Sequence, residues 1–441
     1  MGTMRTTHEE KIDRIVADLK SRPRSAALRF RKGTVSHKVP KHGNRIPKVF
    51  DLDVSDLDSI LEIDEGSLTC TAEPGVTFAD LVRQTLALGL APVTVPELKT
   101  ITLGGAVAGC SVESMSYKYG GFHDSCLEYE VVTASGEVLE CARDGENALV
   151  FDMAHGTFGT LGLITKLKFR LLPARPYVRL VYEKHDDYGE CMAALRERMD
   201  RGDIDFIDGL ALSEREFVLC LGSFVDRAPY THSYDRMGVY YRAAATLRED
   251  YLCTFDYFFR YDADCHWIAR NYGLEIPLLR FVFGRLFLSS TRMLSLAHAI
   301  TRIKKARRPD VIVDLFVPIA KVESFWDFYR RTFDYYPLWL VPYKIAKVYP
   351  WISPSYIPVD SGKLYIDFAI YGYRPKDSRN YYRILEEELE ELGGIKTLIS
   401  HNFHGRDEFW RIMNKPCYDE VKRIVDPDNA FRDLYEKTHG G

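Results

Sequence analysis

The sequence predicts an α+β fold. Three observations carry it. Short strands and helices interleave through the first ~175 residues, and the strands come in hairpins and not as a repeating β-α-β array. Past a shift in composition at Pro173–Pro176, further alternating runs are mixed with helices. The chain of 441 residues is 46% hydrophobic and 28% charged, enough to bury a core in more than one domain.

In chain order, Ile12, Ile15, Val16 and Leu19 recur at helical spacing and predict an amphipathic helix near the N-terminus. The basic, turn-rich stretch LRFRKGTVSHKVPKHGNRIP follows. Residues 50–90 then read as a strand, a turn at Glu65–Gly66, a strand, a turn at Pro74–Gly75 and a helix. Thr77 with Asp80 caps that helix and Gly89 stops it. LEYEVVTASGEVLECA is a hairpin about Ser135–Gly136, and a long strand runs from Gly162 to Leu172. Later strands are read in FIDGLALSEREFVLCLGSF, DVIVDLFVPI and GKLYIDFAIYGY. NYYRILEEELEELGG is an acidic helix with Leu385, Leu389 and Leu392 on one side, and the last forty residues are helical with a loop at Asp426–Asn429.

Several function classes drop out. A net charge of −4 offers no basic field for nucleic acid. The 9 cysteines are widely spaced with no C-x-x-C, which argues against a disulfide framework or a zinc site. His401 and His404 stand as H-x-x-H without further ligands, so no metal is expected. The opening residues lack an apolar h-region, and no run of ~18 apolar residues occurs. A cytoplasmic protein without signal peptide or transmembrane helix is the expectation.

The chemistry concentrates in TVPELKTITLGGAVAGCSVESMSYKYGGFHDS, Thr94–Ser125, which is neither a Walker loop nor a G-x-G-x-x-G turn. Gly104, Gly105 and Gly109 leave room for backbone to touch a ligand. Thr100, Thr102, Ser111, Ser114 and Ser116 add donors suited to phosphate or a ring edge. A second glycine set, GTFGTLGLIT with Gly156, Gly159 and Gly162, leads into a strand.

Taken in order, the basic loop, the strand–PG–helix unit, V-P-E-L-x-x-x-T-x-G-G, the hairpin and G-T-x-G-x-x-G-x-I-T resemble the FAD-binding domain of the vanillyl-alcohol-oxidase/PCMH flavoproteins. VPELKTITLGGAVAG, VESMSYKYGGF and HGTFGTLGLIT are similar to the Diminuto/Dwarf branch, the Δ24-sterol reductases. YYPLWLVPY, GKLYIDFAIYG, GRDEFWRIM and AFRDLYEKTHG extend the likeness over roughly residues 25–441. The chain departs from that pattern in its first loop, RKGTVSHKVPK, which lacks R-G-x-G, and in opening without the membrane-anchoring segment of animal and plant members.

The resemblance implies a two-subdomain PCMH-type FAD-binding domain over 1–178, a substrate (cap) domain with an antiparallel sheet over 179–400, and a C-terminal helical segment, 401–441, packing back on the flavin domain. It implies non-covalent FAD, with His37 the residue a covalent link would use, and NADPH as transient electron donor. FAD contacts are expected at Ser36, His37, Pro96, Glu97, Thr102, Gly104, Gly105, Gly109, Ser111, Ser114, Ser116, Gly159, Gly162 and Ile164. Reducing an isolated C=C needs hydride on one carbon and an acid for the other. Glu113, Tyr119 and His123 follow the glycines and are candidate proton carriers. In KLYIDFAIYGY, period two puts Tyr365, Asp367, Ala369 and Tyr371 on one face, so Asp367 and Tyr371 join the catalytic candidates.

The substrate class implied is a lipid or sterol-like alkene. The alternatives are a methylene-branched acyl chain in phospholipid, an alcohol taken by a flavin oxidase or dehydrogenase, and a flavin-less lipid-binding protein. The apolar, aromatic segments 276–290 and 335–359, with RIKKARRPD nearby, suit either a peripheral membrane contact or a buried core.

Overall fold

In the computed structural model, the described residues are 6–34, 49–235, 237–273, 275–276, 278, 280–281, 310–357 and 363–439. Helix α1 (His8–Ser21) carries a capping box between Thr7 and Glu10 and buries Ile12, Ile15 and Leu19. Strands β1 (Ala27–Arg31) and β2 (Val49–Asp53) pair in parallel, so the start of the stretch read as turns is a strand. Ser36 and His37 lie outside the described residues.

The hairpin strands β3 (Ile60–Asp64) and β4 (Thr69–Ala72) precede helix α2 (Phe78–Leu86), whose first turn is capped by the Thr77 hydroxyl at 3.2 Å from the Asp80 N–H. After β5 (Leu90–Pro92) comes the glycine helix α3 (Leu103–Gly109), then β6 (Cys126–Val132), β7 (Val138–Ala142) and the long β8 (Leu163–Pro173). These strands form one antiparallel sheet in the order β3-β4-β8-β6-β7, with β5 also on β8.

A second, eight-stranded antiparallel sheet follows, built from β9 (Tyr177–His185), β10 (Phe206–Ser213), β11 (Glu216–Val225), β12 (Glu249–Cys253), β13 (Val311–Pro318), β14 (Leu338–Lys344), β15 (Leu364–Tyr373) and β16 (Ile395–Lys396). Its order is β12-β9-β11-β10-β14-β15-β13-β16. Helices α4 (Tyr188–Arg201), α5 (Val322–Thr332) and α6 (Tyr381–Leu392) cover one face. There Val313, Leu315, Leu340, Ile366, Phe368 and Ile370 meet Leu195, Phe325 and Leu385 in a single apolar cluster.

Period two sends the intervening residues to the opposite face. Trp339, Val341, Ala369 and Tyr371 belong there to the core shared with the first sheet. The apolar stretch beginning at Tyr335 supplies β14, with Leu338, Trp339, Leu340 and Val341 buried. Of the other apolar stretch only Ile276, Leu278, Arg280 and Phe281 are described; Leu278 is 71% and Phe281 75% exposed, while Arg280 is anchored on Asp264. Among the described residues, no helix is long and apolar enough to cross a membrane.

The chain end returns to the first sheet. Helix α7 (Lys415–Val425) and the loop after it are held there by Ala134 N–H to the Val425 carbonyl at 2.8 Å, Leu28 N–H to the Ala430 carbonyl at 2.8 Å and Lys422 Nζ to the Thr160 carbonyl at 3.0 Å.

Candidate active site

Between the glycine helix and the inner face of the eight-stranded sheet lies a cavity of about 920 Å³, in the upper range for cofactor sites. Pro96, Glu97, Thr102, Gly104, Gly105, Gly109 and Ser111 line one wall. Gly159, Gly162 and Ile164 line it from the turn into β8. Asp314, Trp339, Asp367 and Tyr371 face them from the sheet.

Local chemistry holds the glycine wall in place. Thr102 caps α3, its hydroxyl accepting from Gly105 N–H at 3.2 Å, while Leu103 N–H reaches the Val76 carbonyl at 3.0 Å and Gly104 N–H the Pro74 carbonyl at 2.9 Å. A methyl on Gly104 would come 2.7 Å from Pro74 Cβ, so this glycine is demanded by packing on the Pro74–Gly75 turn. Gly162, at φ +100°, is demanded by its turn and by Val131, 2.7 Å from where its Cβ would be. Gly109 differs: a Cβ there would meet only Ile399 Cγ2 at 3.7 Å, so a longer side chain would enter the cavity. The expected ligand-side role of the glycines thus divides between packing and open wall.

Other expected residues do not reach the cavity wall. Ser116 Oγ accepts the Glu113 N–H at 2.9 Å, and Ser114 Oγ lies 3.0 Å from Tyr257 Oη, so both hydroxyls are spent inside the protein. Tyr119 is 38% exposed and outside the lining. His123 is buried with neither ring nitrogen hydrogen-bonded, and burial lowers its affinity for a proton. It borders a smaller neighbouring chamber.

Glu113 forms an ion pair with the buried Arg260 at 3.1 Å, and Arg260 also meets Asp208 at 3.3 Å. Burial pushes the Glu113 carboxyl up to about 7, against the pull of Arg260. Trp339 Nε1 donates to Asp208 Oδ2 at 2.8 Å, so this network fixes the indole that walls the cavity.

The acidic end of the cavity is richer than period two alone suggests. Tyr371 Oη donates to Asp314 Oδ1 at 2.6 Å, and Leu315 N–H donates to Asp367 Oδ1 at 2.9 Å. Burial pushes Asp314 up to about 7 despite the Tyr371 bond. Burial, then the neighbouring Asp314 charge, drives Asp367 well above the carboxylate range. Burial and the charge of the neighbouring carboxyl both disfavour ionising the two together. Beside it His266 Nε2 lies 2.8 Å from Glu97 Oε1. Burial opposes the Glu97 charge, but His266, with Arg260 behind it, holds that carboxyl below its ordinary value.

Asp314, His266 and Trp339 are the residues missed by reading the sequence. Asp314 had a signal, a carboxyl in the middle of the apolar run VIVDLFV. His266 had none, because it sits on irregular chain 169 residues from Glu97.

The residues present fit FAD. The cavity of about 920 Å³ has room for it, has an open wall at Gly109, and is lined by Lys32, Arg432 and Lys437, cations of the kind a pyrophosphate needs. Residues 4–142 match the family described as FAD binding domain. The fold and the match define the class: the chain carries a PCMH-type FAD-binding domain and is an FAD-dependent oxidoreductase.

Over nearly its whole length it is similar to Delta(24)-sterol reductases of animals and plants. It is 27% identical to a Delta(24)-sterol reductase homolog of Caenorhabditis elegans, over 98% of this chain and 87% of that protein. It is 26% identical to Delta(24)-sterol reductase of Homo sapiens, over 92% and 80%. The Arabidopsis thaliana Delta(24)-sterol reductase is 24% identical, over 98% and 85%.

Proposed function

We propose that this protein reduces a carbon–carbon double bond of a lipid or sterol-like molecule, with NADPH as the source of electrons and FAD held along the glycine wall. The observation that carries the reading is the 2.6 Å hydrogen bond from Tyr371 Oη to Asp314 Oδ1, with Asp367 in the same cavity lining, on the sheet face across from that wall. The likeness to Delta(24)-sterol reductases supports the same substrate class.

FAD, when bound, supplies hydride to one carbon of the alkene. The protein must supply the other hydrogen as a proton, because an isolated alkene is electron-rich and yields no stable carbanion. Tyr371 Oη is the donor, and the phenolate left when it gives up its proton is reprotonated by the carboxylic acid of Asp314, the group it is hydrogen-bonded to. Glu97, Thr102, Ser111, Gly105, Gly109 and the turn through Gly159, Gly162 and Ile164 bind and orient the flavin. Trp339 and Ile312 exclude water. Exposed Leu278 and Phe281 support uptake of the lipid from a membrane surface.

The test is anaerobic mixing of the FAD-loaded protein with NADPH, followed by incubation with a lipid extract. Bleaching of the flavin and a product heavier by two hydrogens support the reading; no bleaching sinks it. The His266–Glu97 pair favours one second reading, oxidation of an alcohol with the imidazole taking the hydroxyl proton. Rapid reoxidation by O2 with peroxide formation, on turnover of alcohols, would select it.

A further inference from the structure

His266 is held in a conformation that its own backbone disfavours. It sits in the left-handed region at φ 63°, directly after Cys265 at φ 45°, and neither residue is glycine. Strain of this kind persists only where the surroundings over-determine it. Here Asp262 Oδ1 accepts the Lys99 N–H at 2.9 Å, the His266 N–H donates to the Tyr261 carbonyl at 3.1 Å, and Arg280 Nη2 donates to Asp264 Oδ2 at 3.0 Å. The imidazole is stacked on Tyr261, with 4.8 Å between centroids, and packs on Tyr371 at 4.2 Å.

The strained loop delivers His266 Nε2 to Glu97 Oε1 at 2.8 Å. Both side chains are buried and both line the main cavity. Burial opposes the Glu97 charge, but the bond to His266 holds the carboxyl below its ordinary value, so it is ionised. An ionised carboxylate only accepts, so Nε2 carries the hydrogen. Among the described residues Nδ1 has no partner, and a charged N–H left bare in the interior would be costly, so the ring is neutral. The pair therefore carries one negative charge. Arg260 does not cancel it, being divided between Glu113 at 3.1 Å and Asp208 at 3.3 Å.

Charge also orders the cavity. Lys32, Arg432 and Lys437 line it as cations, and Glu97, Asp314 and Asp367 as carboxyls. A pyrophosphate is drawn to the first set and repelled by the second, so the ring of FAD falls to the carboxyl side.

We infer that the Glu97 carboxylate makes the bound flavin a stronger electron donor, and that His266 is the positioning residue that keeps this carboxylate charged and in place. The inference rests on FAD lying along the glycine wall and adds to that reading a device that sets its potential. A fixed negative charge opposes the electrons added to the ring, and an alkene without an activating group needs a strong donor.

The test is dye-coupled anaerobic reduction of the FAD-loaded protein at pH 8, where an ordinary imidazole is neutral, without NADPH or alkene. Glu97→Gln removes the charge and keeps the shape. At a fixed dye ratio its reduced-to-oxidised flavin ratio should exceed the parent's by roughly tenfold, about 30 mV for a two-electron couple. Glu97→Asp keeps the charge and should stay within about threefold of the parent. His266→Phe strands the carboxyl, which then holds a proton, and should shift as Glu97→Gln does; His266→Gln restores a donor and should stay near the parent. Equal potentials in the parent, Glu97→Gln and His266→Phe overturn the inference, and so does an equal shift in Glu97→Gln and Glu97→Asp. If Glu97→Gln does not retain FAD, the two His266 variants decide by whether they differ. If the shifts appear but no alkene reoxidises the flavin, the reductase reading falls and the tuning pair stands.

Discussion

Tyr371 and Asp314 are joined by a 2.6 Å hydrogen bond across β13 and β15, where strand register brings a phenol to a carboxyl inside the cavity. Asp314 sits at about 7 because burial disfavours its charge, and it is protonated below that value. The rate of the protonation step should therefore fall as pH rises through about 7. Asp314→Asn should lower kcat by roughly 10²–10⁴-fold and remove that limb. Tyr371→Phe deletes a bond that favours the carboxylate, so any residual activity should show the limb at higher pH. Single-turnover rates against pH check all three.

The two kinds of glycine in the cavity wall separate by substitution. Gly109→Leu places a side chain in the cavity and should cost roughly 10–100-fold in FAD affinity with little loss of apoprotein stability. Gly104→Ala drives a methyl against Pro74 and should instead destabilise the fold by about 1–3 kcal/mol. Flavin titration and thermal unfolding of the apoprotein distinguish the two.

Arg260 is the buried partner of both Glu113 and Asp208. Arg260→Met should destabilise by about 3–5 kcal/mol, since it strands two carboxyls in the interior. It should also release Trp339 from its fixed orientation, visible as a change in near-ultraviolet circular dichroism. Denaturant unfolding measures the first effect.

His8 bridges Glu130 at 2.9 Å and Glu73 at 2.8 Å, and those bonds lift its pKa from 6.5 to about 9. The folded value lies above the unfolded one, so the contribution is complete below about 6.5 and is lost as pH rises through about 9. His8→Gln should be less stable than the parent by on the order of 1–2 kcal/mol at pH 6, after allowance for solvent screening, and nearly equal to it at pH 10. Unfolding at the two pH values decides this.

Elements governed by near neighbours are legible in the chain itself. The cap at Thr77, the hairpin about Ser135–Gly136 and the acidic helix over residues 381–392 follow from spacing and turn chemistry. The alternation in β15 puts Asp367 and Tyr371 on one face and Ile366, Phe368 and Ile370 on the other. Ser114 and Ser116 mislead, because a hydroxyl near a glycine run looks the same whether it faces a ligand or closes a turn.

The sequence by itself determined the class of fold, the glycine wall and which side of β15 is polar, because caps, turns and strand periodicity act over a few residues. Tertiary structure alone decided that this polar side is dry, that Asp314 stands against a tyrosine 57 residues away, and that His266 reaches Glu97. Pairing between distant strands and the water excluded by their closure set those contacts and lifted the acid pair toward neutrality, and no local rule of spacing encodes either.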